Sequence, residues 1–480
     1  MIFSRKTAWA GLVLAFSLTV GAQLPADSDG LTVVNGMFMK DGHPFYGVGI
    51  NYFNVLIRMT GLAGSPPDLS PESYRQGFET LRKYEIPFIR FCAGGFYPKD
   101  WDLYLKDKKA YFRIFDRLVM DAEKKEIGLI PSLFWNFPAV PDLAGEPLDQ
   151  WGNPDSKTIA FMRQYTTEVV SRYKDSPAIW GWEFGNEYLH AVVPQPELGR
   201  GAVAPHLGTP SERTARDKML RPIIWTAYRE FSKTVRSIDK TRPVFTGDTV
   251  PRPAAFHIWK ESSWRMDSQE EWQSVFLKDN ESMNTLSVHF YYYSRQDEIR
   301  DSGLMEFGPE DQLEFMMKTA RSSGKPLYIG EFGAAAKEKT EEEERRQFEL
   351  MLGLLVTNQV QLSALWNFDF EDPDQVLWNI TEKNHRAYML EALRTANRKM
   401  RTAGSQQGIP NVRCSNTESG EKIRVGAGFD RGRLYVQCTE LSGVSDLQSW
   451  PGCRSPFSRL GARAAAHLGG ADRSADGEYF

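Results

Sequence analysis

Short apolar runs alternate with helical stretches along most of this chain, and that alternation restricts the fold more than any other feature. The runs are Tyr46–Asn51, Phe88–Phe91, Leu129–Phe134, Ile179–Phe184, Val244–Thr246, Leu286–Tyr291, Leu327–Phe332 and Leu362–Phe368. Each is strand-length and apolar on successive residues, as in a strand buried on both faces of a parallel sheet. Helical segments separate them. Ser70-Pro71-Glu72 places a proline in the first turn of a helix running to about Tyr84. Others span roughly Tyr111–Lys125, Ser156–Tyr173, Glu212–Ser237 and Glu310–Ser322. Thr340 with Glu343 forms a capping box for the next, and a last helix ends near Met400. Eight strand–helix units predict an α/β fold, a parallel sheet closed into a (β/α)8 TIM barrel. A doubly wound open sheet lacks its Gly-x-Gly-x-x-Gly turn.

The ends read differently. Arg5 and Lys6, the apolar stretch Ala8–Val20 and the small residues Val20-Gly21-Ala22 form a cleavable signal peptide over residues 1–22. The stretch is short for a membrane span, and no later segment is apolar enough for one. The expectation is a secreted or periplasmic protein, free of the membrane after cleavage. Residues 23–30 form a linker, and an Asn35-Gly36 turn between apolar runs predicts an N-terminal hairpin covering the barrel floor. The catalytic domain is placed at 31–400. Residues 401–480 form a C-terminal extension: a partial β module over Arg413–Cys438, then aperiodic, disordered chain from Leu441. Of four cysteines, Cys92 reads as an inert buried thiol. Cys414, Cys438 and Cys453 allow one disulfide, with Cys414–Cys438 one possibility. No cysteine or histidine cluster has zinc spacing, so neither metal nor cofactor is expected.

Two of the runs end in carboxylates. One is Trp180-Gly181-Trp182-Glu183-Phe184-Gly185-Asn186-Glu187, the other Pro326-Leu327-Tyr328-Ile329-Gly330-Glu331-Phe332-Gly333. A glutamate at the carboxyl end of a buried strand is costly for structure alone. That end of such a barrel carries its active site. Two carboxylates at one mouth suit glycosidic bond cleavage, in which one protonates the leaving oxygen and the other attacks the anomeric carbon. Retention needs them about 5–5.5 Å apart, inversion about 6.5–9.5 Å. With a net charge of −4, nothing argues for nucleic acid or an anionic membrane surface, and no nucleic-acid partner is expected. The 13 tryptophans suit sugar rings, whose apolar faces stack on aromatics, and equally a large aromatic core.

Asn186-Glu187 after an aromatic strand, Gly330-Glu331-Phe332-Gly333, Val288-His289-Phe290-Tyr291, Arg90 ending strand two and Trp366 ending strand eight occur in this order. In these features residues 35–400 resemble glycoside hydrolase family 5. The resemblance implies that Glu187 is the acid/base and Glu331 the nucleophile. Asn186 would bond the sugar 2-hydroxyl, Arg90 and Tyr291 would hold Glu331 ionised and aimed, and His289 would border the acid/base or a substrate hydroxyl. Trp366 would floor the sugar before the scissile bond. Many members carry a histidine on strand three, where this chain has Trp135-Asn136. Either residue can substitute, a pattern similar to some mannan-cleaving members. The implied protein is a monomer acting on a polysaccharide or oligosaccharide of β-1,4-mannan or β-1,4-glucan type.

Other residues have plainer readings. Glu183 reads as an inward supporting carboxylate. Glu187-x-x-His190 is half of a di-iron motif, but it falls on a loop and lacks its second half. Glu341–Glu344 reads as a solvated first helical turn. Asp369, Glu371, Asp372 and Asp374 suit a solvated loop better than calcium or sugar. Trp101, Trp151, Trp259 and Trp378 are as suited to packing as to sugar subsites. The alternatives carried forward are a non-catalytic carbohydrate-binding barrel and an exo-acting β-glycosidase. An oxidoreductase barrel lacks a phosphate-binding glycine loop after strand seven.

Overall fold

The computed structural model describes residues 30–61, 72–194, 203–291, 308–334, 340–370, 376–406, 423–430 and 433–440. The signal peptide, the linker up to residue 29, the Cys414–Cys438 pairing, Glu371, Asp372, Asp374 and the tail after Leu441 lie outside the described residues. The chain divides into two compact units, Met1–Gly408 and Ile409–Phe480. In the second, β12 (Ile423–Asp430) and β13 (Arg433–Glu440) pair antiparallel along their whole length.

The first unit begins with the expected turn. Asn35 and Gly36 both take positive φ, 51° and 72°, which a two-residue hairpin of the right twist requires. They join β1 (Leu31–Val34) to β2 (Met37–Lys40), and β3 (His43–Pro44) makes a third antiparallel strand. Leu31 and Phe38 are fully buried against Phe88, Ile130, Phe245, Tyr328 and Leu362, most of them at the starts of barrel strands. Each such side chain stabilises by roughly 1.5–3 kcal/mol, which anchors a small sheet that would be marginal alone. Gln361 adds a clamp, accepting from the Phe38 amide and donating to its carbonyl, both at 3.0 Å.

Eight parallel strands follow: β4 (Gly47–Asn51), β5 (Phe88–Cys92), β6 (Gly128–Phe134), β7 (Trp182–Gly185), β8 (Val244–Phe245), β9 (Leu286–His289), β10 (Leu327–Phe332) and β11 (Leu362–Leu365). Their order, β8-β7-β6-β5-β4-β11-β10-β9, is a barrel closed except between β8 and β9. Side chains bridge that seam. Thr285 Oγ1 donates to the Val244 carbonyl at 2.7 Å, and Asn284 Oδ1 accepts from the Val244 amide at 2.8 Å. Around the barrel lie α1 (Val55–Thr60), α2 (Tyr74–Lys83), α3 (Asp102–Lys106), α4 (Lys108–Lys125), α5 (Ala139–Ala144), α6 (Lys157–Tyr173), α7 (Arg221–Ile238), α8 (Ala255–Glu261), α9 (Gln269–Asp279), α10 (Pro309–Ser323), α11 (Glu341–Thr357) and α12 (Ala387–Gln406). Thr340 and Glu343 form the expected capping box at α11.

Three expectations are corrected. The helix anticipated from Glu212 begins at Arg221, because Pro222 is tolerated in a first turn and not deep inside a helix. Glu344 is not solvated: it is buried and ion-paired with Arg386. Strand eight stops at Leu365 rather than Phe368, although the Phe368 amide still donates to the Asn51 carbonyl at 2.9 Å. Trp101 and Trp151 are buried packing residues among Tyr104, Tyr165, Phe134 and Phe184.

Candidate active site

Arg90 organises the carboxyl ends of the strands. Strand parity sends its side chain into the barrel, where it is fully buried. A guanidinium offers five donors and must use them when water is excluded. Nε donates to both oxygens of Glu183 at 2.7 and 3.0 Å. Nη1 donates to Glu331 at 2.6 Å and to Asn51 Oδ1 at 3.0 Å, and Nη2 to Asn186 Oδ1 at 2.9 Å. The guanidinium also lies 4.4 Å over the Trp135 ring. Burial pulls Arg90 down, but Glu183 and Glu331 outweigh it and hold the cation. Glu183, itself fully buried, is pushed up by burial, with Arg90 opposing.

Glu331 reaches the interior through a fault in its strand. Against β9 the ladder runs Ile329 with Val288, then skips to Glu331 with His289. The resulting bulge lets Tyr328 and Glu331, three residues apart, both turn inward. Arg90 holds one Glu331 oxygen and the Tyr291 hydroxyl donates to the other at 2.6 Å.

Glu187 follows β7 with φ of 52°. Its amide donates to the Gly247 carbonyl at 2.9 Å. Gly247 has φ of +75°, and a Cβ there would lie 2.0 Å from the Gly185 carbonyl, so only glycine fits. The neighbouring Asp248 accepts from the Leu189 amide at 2.9 Å and from the Tyr228 hydroxyl. Burial pushes Asp248 up to about 7. Glu187 is partly exposed, whereas Glu331 is nearly buried.

His289 sits between the two carboxylates. Its Nδ1 lies 2.9 Å from Glu187 and 3.5 Å from Glu331. Burial pushes the imidazole down to about 3, so it is neutral at ordinary pH. One oxygen of Glu187, one of Glu331 and a His289 nitrogen all lie within 4.8 Å of one another. Such a trio resembles a metal site, but Arg90 and Tyr291 already occupy the Glu331 oxygens, and a guanidinium so close repels a cation.

An aromatic platform borders this cluster. Trp135 stacks on Trp366 with centroids 5.9 Å apart at 29°, and Phe53 meets both. Trp378 packs edge-on against Tyr291 at 5.3 Å. The structure thus gathers Arg90, Trp135, Asn186, His289, Tyr291 and Trp366 around Glu187 and Glu331. Asn136 donates to the Phe96 carbonyl at 3.0 Å. Asp369 pairs with Arg58 and Tyr52. Asn51, Asp248 and Phe53 were not anticipated. Asn51 had a visible signal, a polar residue ending an apolar strand, but Asp248 acts through folding partners that sequence does not reveal.

A (β/α)8 barrel with two glutamates facing across its mouth defines a glycoside hydrolase. The chain belongs to glycosyl hydrolase family 5: the family model described as Cellulase (glycosyl hydrolase family 5) matches residues 59–372. No curated protein matches significantly. Among solved structures, an endo-1,4-beta-mannanase from Rhizomucor miehei is similar at 17% identity, covering 77% of this chain and 99% of that one, with a TM-score of 0.56. A family 5 mannosidase from the same organism is similar at 14% identity, covering 79% and 99%, with a TM-score of 0.51. At these identities the likeness is one of fold.

Proposed function

We propose that this glycoside hydrolase is a retaining, endo-acting enzyme on β-1,4-mannan-type polysaccharide. The observation that carries the mechanism is the approach of Glu187 and Glu331 oxygens to within 4.8 Å. So close an approach favours the retaining separation of about 5–5.5 Å over the roughly 6.5–9.5 Å of an inverting enzyme. Glu331 is the nucleophile: Arg90 fixes one of its oxygens and the Tyr291 hydroxyl the other, which aims the carboxylate at the anomeric carbon. Glu187, the more exposed of the pair, protonates the leaving oxygen. Glu331 forms the glycosyl-enzyme, and Glu187, now ionised, takes a proton from the water that releases the sugar. Neutral His289 presents its Nδ1 to Glu187 without adding a charge. Because Asn186 Oδ1 accepts from Arg90, its amide group is left to donate to the sugar 2-hydroxyl. Trp366, partly exposed, offers a ring for stacking, and the buried Trp135 packs against it.

The mannan assignment is supported by Trp135-Asn136 at strand three and by the names of the similar structures, a mannanase and a mannosidase. In this reading the chain is exported after loss of residues 1–22, acts as a monomer and needs no cofactor. Incubation with mannan, glucan and short glycosides, with product sizing, is the test. Release of mixed mannan oligosaccharides is expected. Activity on glucan alone, or release of monosaccharide only, would overturn the substrate or the endo assignment.

A further inference from the structure

The excursion after β8 carries a second cluster of ionisable groups, remote in sequence from Glu187 and Glu331. His257 on α8 is completely buried. Its Nδ1 lies 2.8 Å from Asp267 Oδ1, whose carboxylate is also buried and accepts from the Phe256 and His257 amides. A carboxylate that only accepts fixes the ring proton on Nδ1. The other nitrogen, Nε2, is buried and has no hydrogen-bond partner. It is aimed between two carboxylates: Glu271 Oε1 on α9 at 3.7 Å and Glu261 Oε1, one turn along α8, at 3.9 Å.

These separations are too long for hydrogen bonds. With metal–ligand lengths of about 2.0–2.2 Å, two ligand atoms this far apart subtend roughly 130° at a shared ion. Asp267 behind the ring completes the carboxylate–histidine arrangement that orients metal-binding imidazoles. Glu271 spends its other oxygen on the Ser268 amide at 2.8 Å, which fixes the carboxylate and leaves Oε1 facing the histidine. Glu261 Oε1 accepts from the exposed Arg265 at 2.7 Å, a surface pair weak enough to yield. Both glutamates are partly exposed, which gives an ion a way in. The absence of zinc spacing in the sequence does not bear on this cluster, because two of its three donors are carboxylates.

We infer that His257 and Glu271 bind a divalent transition cation of the zinc type, with Glu261 turning from Arg265 to become the third donor, which staples α8 to α9. Imidazole with carboxylates suits zinc better than calcium or magnesium, which prefer all-oxygen sites. The excursion it would brace also carries Arg252, whose guanidinium donates to the His190 carbonyl at 2.9 Å beside the catalytic loop.

The test is calorimetric titration of the untagged, chelator-stripped full chain with zinc chloride, with calcium and magnesium chloride in parallel. One zinc per chain is expected, bound about tenfold or more tighter than calcium or magnesium, with a raised midpoint of thermal unfolding. Glu271→Gln keeps the cap on Ser268 and should weaken zinc binding roughly 10–100-fold. His257→Gln should do the same, while Glu187→Gln should leave zinc binding unchanged. No binding by the parent chain would overturn the inference, leaving His257 a buried ion-pair residue. So would equal affinity for calcium, or loss of binding in Glu187→Gln and not in Glu271→Gln, which would put the ion in the catalytic cleft.

Discussion

Replacing Arg90 by methionine separates holding the fold from holding the proposed nucleophile, Glu331. Methionine fills much of the volume and removes all five hydrogen bonds. Glu183, with no side-chain exposure, and Glu331, with 6%, lose the cation they share. Leaving a buried charge uncompensated costs about 3–5 kcal/mol. Against a total stability of about 5–15 kcal/mol, the variant folds but unfolds at lower denaturant. Adding Glu183→Gln removes one stranded charge, so the double variant should regain about half the loss. Activity should not follow, because Glu331 keeps only its Tyr291 contact and Asn186 has lost Arg90. Arg90→Lys should also be poorly active, since an ammonium lacks the planar fork that spans four acceptors. Denaturant unfolding gives the stability and kcat/KM on an aryl glycoside gives the catalysis. The reasoning fails if kcat/KM recovers in step with stability, or if Arg90→Met changes stability by less than about 0.5 kcal/mol.

Tyr291→Phe removes one charge-assisted hydrogen bond to Glu331, worth about 1.5–3 kcal/mol. It should lower kcat/KM by about 10- to 100-fold, with little change in the thermal midpoint because Tyr291 is half-buried at the mouth. Asp248 gives a pH test. Its folded value of about 7 lies above the ordinary aspartate value of about 3.9. The folded state therefore holds the proton more tightly. The stability this gives is fully present below about pH 3.9 and is lost as pH rises through about 7. The stability of the parent chain relative to Asp248→Asn should therefore fall between these limits, measured by chemical unfolding at stepped pH. A difference that stays level would contradict a protonated, buried Asp248.

The barrel was legible because buried parallel strands leave unbroken apolar runs, and seven of the eight runs are at least four residues long. Arg90, Glu183, Glu187 and Glu331 stood out because charged residues in or beside such runs need partners. The start of α7 was misplaced because helical periodicity was weighed above Pro222. The burial of Glu344 was hidden because its partner Arg386 lies 42 residues away. The bulge that turns Glu331 inward, and the brace of Gly247 and Asp248 behind Glu187, depend on register between strands, which no local pattern encodes. The His257 cluster was missed for a similar reason: helical spacing displays only Glu261 beside it, while Asp267 and Glu271 arrive by the turn between α8 and α9.

The assignment of Glu187 as acid/base and Glu331 as nucleophile is the central claim, and azide rescue on an activated aryl glycoside tests it most directly. Glu331→Ala removes the attacking carboxylate and should be nearly inactive on every substrate. Glu187→Ala should still form the glycosyl-enzyme, because a good leaving group needs little protonation, and the intermediate should accumulate for want of a base. Azide needs no base. It should restore turnover in Glu187→Ala and give a glycosyl azide of retained configuration. In Glu331→Ala it should enter the space left by the carboxylate and give the inverted azide. Exchanged stereochemical outcomes would reverse the two roles, and full hydrolysis by either variant would place the chemistry elsewhere.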